Sequence, residues 1–413
     1  MNRITQRLAT EWGHFQLLPH HTQRFFAAAI AYNFFDSIVF TFAYAYMFSQ
    51  TDSFIAVAIF NIAFFITLLL GFFANIPLLK RYNPKHLFVL SSILQGLSLF
   101  SVFFYEQTTL GSIAFAGLLC GFFQGIYWSV RNSAYIYFTT DDNRHYYEGL
   151  KSMLQNGHDL VMLSVAGWFI ASSEILSLVD KITAYRIVGL AGLTVLVLGT
   201  FYLRGVTFPT ITISHIRVKK PSKQWQLFRV LVVVSAIQFA LAMSVPETIT
   251  LHLLGHEGVL GTLQSLFVVI SAVAMYAIGR KATKGHRFHL LLASAIPLLT
   301  FSLLLMISQH PFVVIGFLLS LSVSNQLFWF TYFPIFSRAV EYEQQDESKQ
   351  YAYVLDHEVW INVSRIAAIS MYVVLVQTLE GLQGMFVALA IGALTQVATA
   401  LIARPLLALQ NNQ

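Results

Sequence analysis

Residues 121–167 read GFFQGIYWSVRNSAYIYFTTDDNRHYYEGLKSMLQNGHDLVMLSVAG, and the organisation of the whole chain follows from them. An apolar run carries Gln124, Trp128, Arg131 and Tyr135, a hydrophilic turn follows from Thr139 to Arg144, and a second run carries Gln155, His158 and Asp159. The arrangement returns about half a chain later. Asn325, Trp329, Tyr332 and Phe336 mark one run, Glu341 to Glu347 form the turn, and Asp356, Glu358, Asn362 and Arg365 mark the next run. In both copies the marked residues of the first run are spaced four, three and four apart. On a helix of about 3.6 residues per turn that spacing places them along one face. A polar-aromatic stripe repeated inside apolar helices is what duplication of a membrane bundle produces.

Composition points the same way. The chain has 413 residues, of which 56% are hydrophobic, 15% aromatic and only 11% charged. Soluble domains carry about a quarter charged residues, so this chain is too apolar for water. The single cysteine, Cys120, lies within an apolar run, which leaves no intramolecular disulfide and no cysteine-based metal site. A net charge of +6 would suggest nucleic acid in a soluble protein. Here the basic residues fall in loops, so membrane orientation accounts for them and no nucleic-acid partner is expected.

Twelve apolar runs are long enough to cross a bilayer. They run from Arg24 to Phe48, Phe54 to Leu79, His86 to Phe104, Gly111 to Phe138, Glu148 to Ile170 and Thr183 to Leu203. After a basic connector come Trp225 to Leu254, Leu260 to Ile278, His289 to Ile307, Val313 to Phe336, Tyr351 to Val376 and Met385 to Leu406. The expected class is an all-α integral membrane protein, with two pseudo-symmetric six-helix bundles at residues 24–203 and 225–407. A linker at 204–224 joins them, and a tail occupies 408–413. Residues 1–23 are polar, with Ile4, Leu8 and Trp12 at the spacing of a short interfacial helix, and no cleavable signal peptide is visible.

Charge placement tests that count independently. With the N-terminus inside, the internal segments hold Lys80, Arg81, Lys85, Arg144, Arg204, Arg217, Lys219, Lys220 and Arg338 among others, whereas the external turns offer little beyond Lys181 and Arg186. This asymmetry places both termini in the cytoplasm, and the expected location is a bacterial inner membrane.

The chain at this point resembles the major facilitator superfamily, over nearly its whole length and mainly in architecture. The family's loop motif survives in degraded form as Ile76-Pro77-Leu78-Leu79-Lys80-Arg81-Tyr82-Asn83-Pro84-Lys85, with Lys80 in place of the family's aspartate and Asn83 in place of a glycine. The second copy, Gly279 to Gly285, keeps the basic character. The fourth-span pattern of proton-coupled members survives as Gln124-Gly125 with Gly121 in the arginine position, and the fifth span lacks the Gly-Pro pattern of drug antiporters. The resemblance implies that spans one, four, seven and ten line a central cavity.

Counting inward about 12 residues, half of a 30 Å crossing, lands on those four spans near Asn33 and Asp36, Gln124, Gln238 and Asn325. Amide and carboxyl groups at that depth are costly against lipid, so they face each other, water or a solute; interhelical glue is the competing reading. With Trp128, Arg131, Tyr135, Trp329 and Tyr332 they form the expected substrate-binding set. Asp36 is a lone mid-span carboxylate, and removal from water favours a carboxyl's protonated form, so it is a candidate proton carrier. A fixed salt bridge is the plainer alternative. His158, Asp159, Glu358, Asn362 and Arg365 are the further candidates for proton coupling or gating. Arg131 and Arg365 must each meet an anion, water or carbonyls. One reading makes them an anion clamp, and the other pairs Arg131 with Asp159 or Glu148 and Arg365 with Glu358 or Asp36.

Asp356-His357-Glu358 cannot converge on a metal, because consecutive helical residues fan around the axis. Glu358 is read as cavity-facing, with Asp356 and His357 near the cytoplasmic mouth. No phosphate-binding loop and no catalytic constellation appears, so neither an enzyme nor a cofactor is expected. The expectation is a monomeric secondary transporter moving a small solute by alternating access, with H+ as the coupling ion. The alternatives are an exporter of a cation or metal chelate, and a transporter-like receptor without transport.

Overall fold

A computed structural model describes residues 13–105, 108–139, 141–176, 179–208, 213, 215–279, 286–343 and 350–411. The expected interfacial helix before Trp12 and most of the second basic loop motif lie outside them. The main helices of the described fold are α1 (His20–Thr51), α2 (Ala56–Arg81), α3 (Pro84–Phe100), α4 (Leu110–Phe138), α5 (Asp141–Ile175), α6 (Lys181–Phe201), α7 (Lys223–Ala242), α8 (Pro246–Leu254), α9 (Glu257–Gly279), α10 (Arg287–Ile307), α11 (Pro311–Glu343), α12 (Gln350–Thr378) and α13 (Leu382–Asn411), with a short 3-10 turn at Ser101–Phe104.

Helix starts follow local chemistry. Asn83 caps α3 by accepting from the Lys85 N–H at 2.9 Å, with Pro84 at the first position, where its missing N–H costs nothing. Thr109 and Ser112 form a reciprocal capping box at the start of α4. Asp180 caps α6, and the hydrogen bonds from Thr183 hold its carboxyl below the usual carboxylate range.

Eleven helical spans among the described residues are long and apolar enough to cross a membrane, with α7 and α8 forming one of them. α5 is long enough but more polar, because it carries Gln155, Asn156, His158 and Asp159 after an acidic and basic first turn. Counting α5 gives twelve crossings in the all-α architecture. The seventh crossing, one apolar run whose Pro246 is expected to kink or loosen it, breaks between Ala242 and Pro246. Pro246 has no N–H to continue the ladder, and it restarts the helix instead.

Within the first six helices the closest pair is α2 and α4. A Cβ added at Gly117, Gly121 or Gly125 would lie 2.0–2.4 Å from the carbonyl oxygens of Phe60, Phe64 and Leu68, so only hydrogen fits there. Such small-residue rows allow membrane helices to pack backbone to backbone. The first six helices meet the later seven mainly through α5 against α9 and α2 against α12.

In the second half an ion pair ties α7 to α12. Arg229 donates from Nε and Nη2 to the two oxygens of Asp356 at 2.7 and 2.6 Å, and Trp225 Nε1 donates to the same carboxylate at 2.8 Å. The pair is only 23% and 16% exposed. Asp356→Ala would leave a guanidinium and an indole N–H unpaired, so we expect it to lower stability by roughly 2–4 kcal/mol. Thermal unfolding in detergent measures this, and an unchanged midpoint would refute it.

Candidate functional site

The polar residues of the membrane interior fall into an α1–α4–α5 group and an α7–α11–α12–α13 group. In the first group, Asp159 is a hub. It accepts from Ser37 Oγ at 2.7 Å and from Gln155 Nε2 at 2.9 and 3.0 Å, and it lies 3.0 Å from His158 Nδ1. Gln155 also donates to the Asn33 backbone carbonyl at 3.4 Å, which joins α5 to α1. His158 stacks flat on Phe34, with ring centres 4.0 Å apart. Three residues along α1 from Asn33, Asp36 has a buried Oδ1 with no hydrogen-bond partner.

Gln124 turns into its own half, where its Oε1 accepts from Gln95 Nε2 at 3.3 Å beside Cys120. Arg131 sits between aromatic rings of its own helix, 4.6 Å from the Trp128 ring centre and 6.0 Å from that of Tyr135. Among the described residues no carboxylate pairs with it.

In the second group, Gln238 and Asn325 line one small cleft with Phe239, Ala242, Ser324, Phe328 and Gln396. Gln238 is 4% and Gln396 2% exposed, and the Oε1 of each lacks a partner. Trp329 packs on Phe239 at 4.8 Å. Tyr332 OH is 2.6 Å from His357 Nε2. Asn362 donates to the Glu358 backbone at 2.8 Å and to its Oε2 at 3.3 Å, and His357 Nδ1 lies 3.5 Å from Glu358 Oε1. Arg365 crosses to the other half, its guanidinium 5.0 Å from the Phe65 ring centre, and its Nε is buried without a partner. Asp356 is committed to Arg229, an intramembrane arginine that the sequence reading passed over.

Two carboxylates outside the expected set are buried and hydrogen-bonded. Glu247, 8% exposed in the first turn of α8, accepts from Gln264 Nε2 at 3.1 Å. Glu257, at 1% exposure, accepts from Tyr185 OH at 2.6 Å and pairs with Lys181 Nζ at 2.9 Å, which binds α9 to α6 of the other half. The signal for Glu247 was visible: a carboxylate directly after a proline within an apolar run. Glu257 lay in a short turn between runs and carried no comparable signal.

The end of the molecule holding the α1–α2, α5–α6 and α8–α9 turns is tightly closed. Beside the Glu257 cluster, Trp168 Nε1 donates to Thr262 at 2.8 Å, Ser164 Oγ donates to Ser265 Oγ at 2.9 Å, and Asn61 Nδ2 donates to Ser244 Oγ at 2.9 Å. Tyr372 OH donates to the Phe54 carbonyl at 2.9 Å. Toward the other end, cross-half bonding comes from Tyr351 OH, 3.0 Å from Ser129 Oγ and 3.3 Å from the Phe72 carbonyl. No cluster of three or more His, Cys, Asp or Glu residues suited to a metal ion occurs among the described residues.

Two helical halves, meeting on α2–α12 and α5–α9 and lined inside by polar side chains, define a multi-pass membrane transporter. The Major Facilitator Superfamily model matches residues 25–345, and the chain belongs to that family. Its fold is similar to that of a bacterial homologue of the iron transporter ferroportin in an inward-facing state, at TM-score 0.64 and 13% identity, covering 94% of this chain and 98% of that one. It is also similar to the nucleoside transporter NupG, at TM-score 0.63 and 11% identity, covering 94% and 99%. A third likeness is to a bacterial homologue of the human lysosomal transporter Spinster, at TM-score 0.56 and 12% identity, covering 94% and 96%. No curated protein matches the chain in sequence.

Proposed function

We propose that this protein is a secondary active transporter that moves a small solute by alternating access, with H+ as the coupling ion, through a bacterial inner membrane with both termini cytoplasmic. The observation that carries the coupling is Asp36: its buried Oδ1 has no hydrogen-bond partner, and Asn33, one turn before it on α1, is joined through Gln155 to the Asp159–His158 hub. A carboxyl in that setting is suited to taking up and giving back a proton. The halves rock about the interior residues, and the closed end described above is the outer one. The charge asymmetry of the loops supports that assignment. The protein works as a monomer.

Reconstitution tests this. Purified protein in liposomes, given an inward pH gradient, should accumulate a solute and acidify the lumen in step with it. Protein that binds a ligand yet moves neither solute nor protons under any gradient would point to a receptor instead.

The Lys181–Glu257–Tyr185 cluster then acts as an outer latch, because opening that end must separate Lys181 and Tyr185 on one half from Glu257 on the other. Glu257→Gln weakens a buried charged contact, and we expect roughly a tenfold shift toward the outward-open form. The labelling rate of a cysteine placed at Thr262 reads the shift. A rate equal to that in the parent background would remove the latch.

A further inference from the structure

Arg131 makes no ion pair among the described residues. It is 9% exposed, and its one hydrogen bond goes to the neighbouring Asn132 Oδ1 at 3.4 Å. Of the two carboxylates that the sequence offered it, Asp159 is occupied by Ser37, Gln155 and His158, and the Glu148 side chain lies outside the described ones. A guanidinium keeps its charge at any physiological pH, so one buried inside a membrane protein without an anion calls for one.

A second observation lies beside it. Tyr32 OH, Tyr127 OH and Asp36 Oδ1 are each buried with no partner in close hydrogen-bond range, and the Tyr32 hydroxyl and the Asp36 carboxyl, one turn apart on α1, face each other. The two phenol rings stack with centres 3.8 Å apart, and Arg131 follows Tyr127 one turn along α4. A row therefore runs from α1 to α4: a carboxyl, two phenols and a guanidinium. It holds buried polar atoms with unused hydrogen-bonding capacity and a cation that no carboxylate among the described residues pairs with.

We propose that this row binds a small organic anion, a carboxylate or a phosphate ester, with its negative group on Arg131, its apolar part against Trp128 and Tyr135, and a proton on Asp36. The inference rests on the transporter reading and names the substrate class of the same site. With Asp36 ionised, its field offsets that of Arg131 and repels an incoming anion. With Asp36 protonated, the field of Arg131 is free. Proton and anion therefore promote each other's binding by the same factor. A monoanion moved with one proton crosses without net charge.

The titratable groups facing Asp36 are Tyr32 and Tyr44 on its own helix, Tyr127 and Cys120 on α4, and Asp159 on α5 with His158 beside it. The phenols and the thiol carry no charge between mildly acidic and neutral pH, so Asp159 is the competing acid and must be tested as well.

The test is thermal stabilisation of the full-length protein by benzoate, phenyl phosphate, succinate and inorganic phosphate, with benzamide and phenol as uncharged counterparts, at mildly acidic and neutral pH. At least one anion should bind where its uncharged counterpart does not, and more tightly at the acidic pH. Arg131→Gln should weaken that binding roughly tenfold or more, while Arg131→Lys, which keeps the charge, stays closer to the parent. Asp36→Asn should bind as the parent does at acidic pH and lose the pH dependence. The inference falls if no anion of the panel binds, if Arg131→Gln binds as tightly as the parent, or if the pH dependence survives Asp36→Asn and disappears in Asp159→Asn. Proton-driven transport of an uncharged solute alongside absent anion binding would remove this inference and leave the transporter standing.

Discussion

Asp36→Asn retains solute binding and equilibrative exchange across the membrane but loses accumulation driven by a pH gradient, by about a hundredfold or more. The reasoning is steric as well as electrostatic. Asparagine matches the shape of aspartic acid and holds a neutral group at the same point in α1, so packing against Tyr32 and α5 survives. It mimics one protonation state permanently, and a carrier locked in one state cannot convert a proton gradient into a solute gradient. Counterflow and pH-driven uptake in proteoliposomes separate the two activities. Full pH-driven accumulation in the variant would exclude Asp36 as the coupling group, and loss of counterflow together with uptake would mark it as structural.

The second large effect lies where α5 crosses α9. A Cβ on Gly167 would stand 2.4 Å from the Glu257 carbonyl oxygen, and one on Gly261 would stand 2.2 Å from that of Leu163. Both contacts are to backbone, which cannot swing aside as a side chain can. Gly261→Val must force the helices apart, pulling Ser164 from Ser265 and Trp168 from Thr262, and we expect a loss of about 1–3 kcal/mol in thermal stability. Labelling of outer-end cysteines should rise with it. Gly167→Ala combined with Gly261→Ala should cost less than the sum of the two, because the first separation already makes room for the second methyl group. Wild-type stability and labelling in Gly261→Val would show that these helices do not touch as described.

Much of the architecture was legible because membrane helices announce themselves by length and composition. The fourth span read from Gly111 to Phe138 corresponds to α4 at Leu110–Phe138, and the basic connector ends where α7 begins at Lys223. α5 was harder, since its interior polar residues dilute the apolar signal. The interior was legible as an inventory of residues, but their pairing was not. Equal depth suggested that Asn33, Asp36, Gln124, Gln238 and Asn325 share a surroundings, yet Gln124 bonds Gln95 on α3 while Gln238 and Asn325 line a separate cleft with Gln396 on α13. Helical periodicity fixes which face a residue lies on but not which neighbour, a hundred residues away, stands opposite. The same gap explains why Arg229, six residues into its helix, was not matched to Asp356 and why Glu257 was passed over as a turn residue.

Cys120 has a practical consequence. It is fully enclosed, with its sulfur 3.6 Å from Gln95 Nε2, and the chain has no other thiol. A polar maleimide added from either face of the bilayer should leave the native protein unmodified. Each cysteine introduced singly then reports its own exposure against a blank background, and the opening of either vestibule can be followed without first rebuilding the protein.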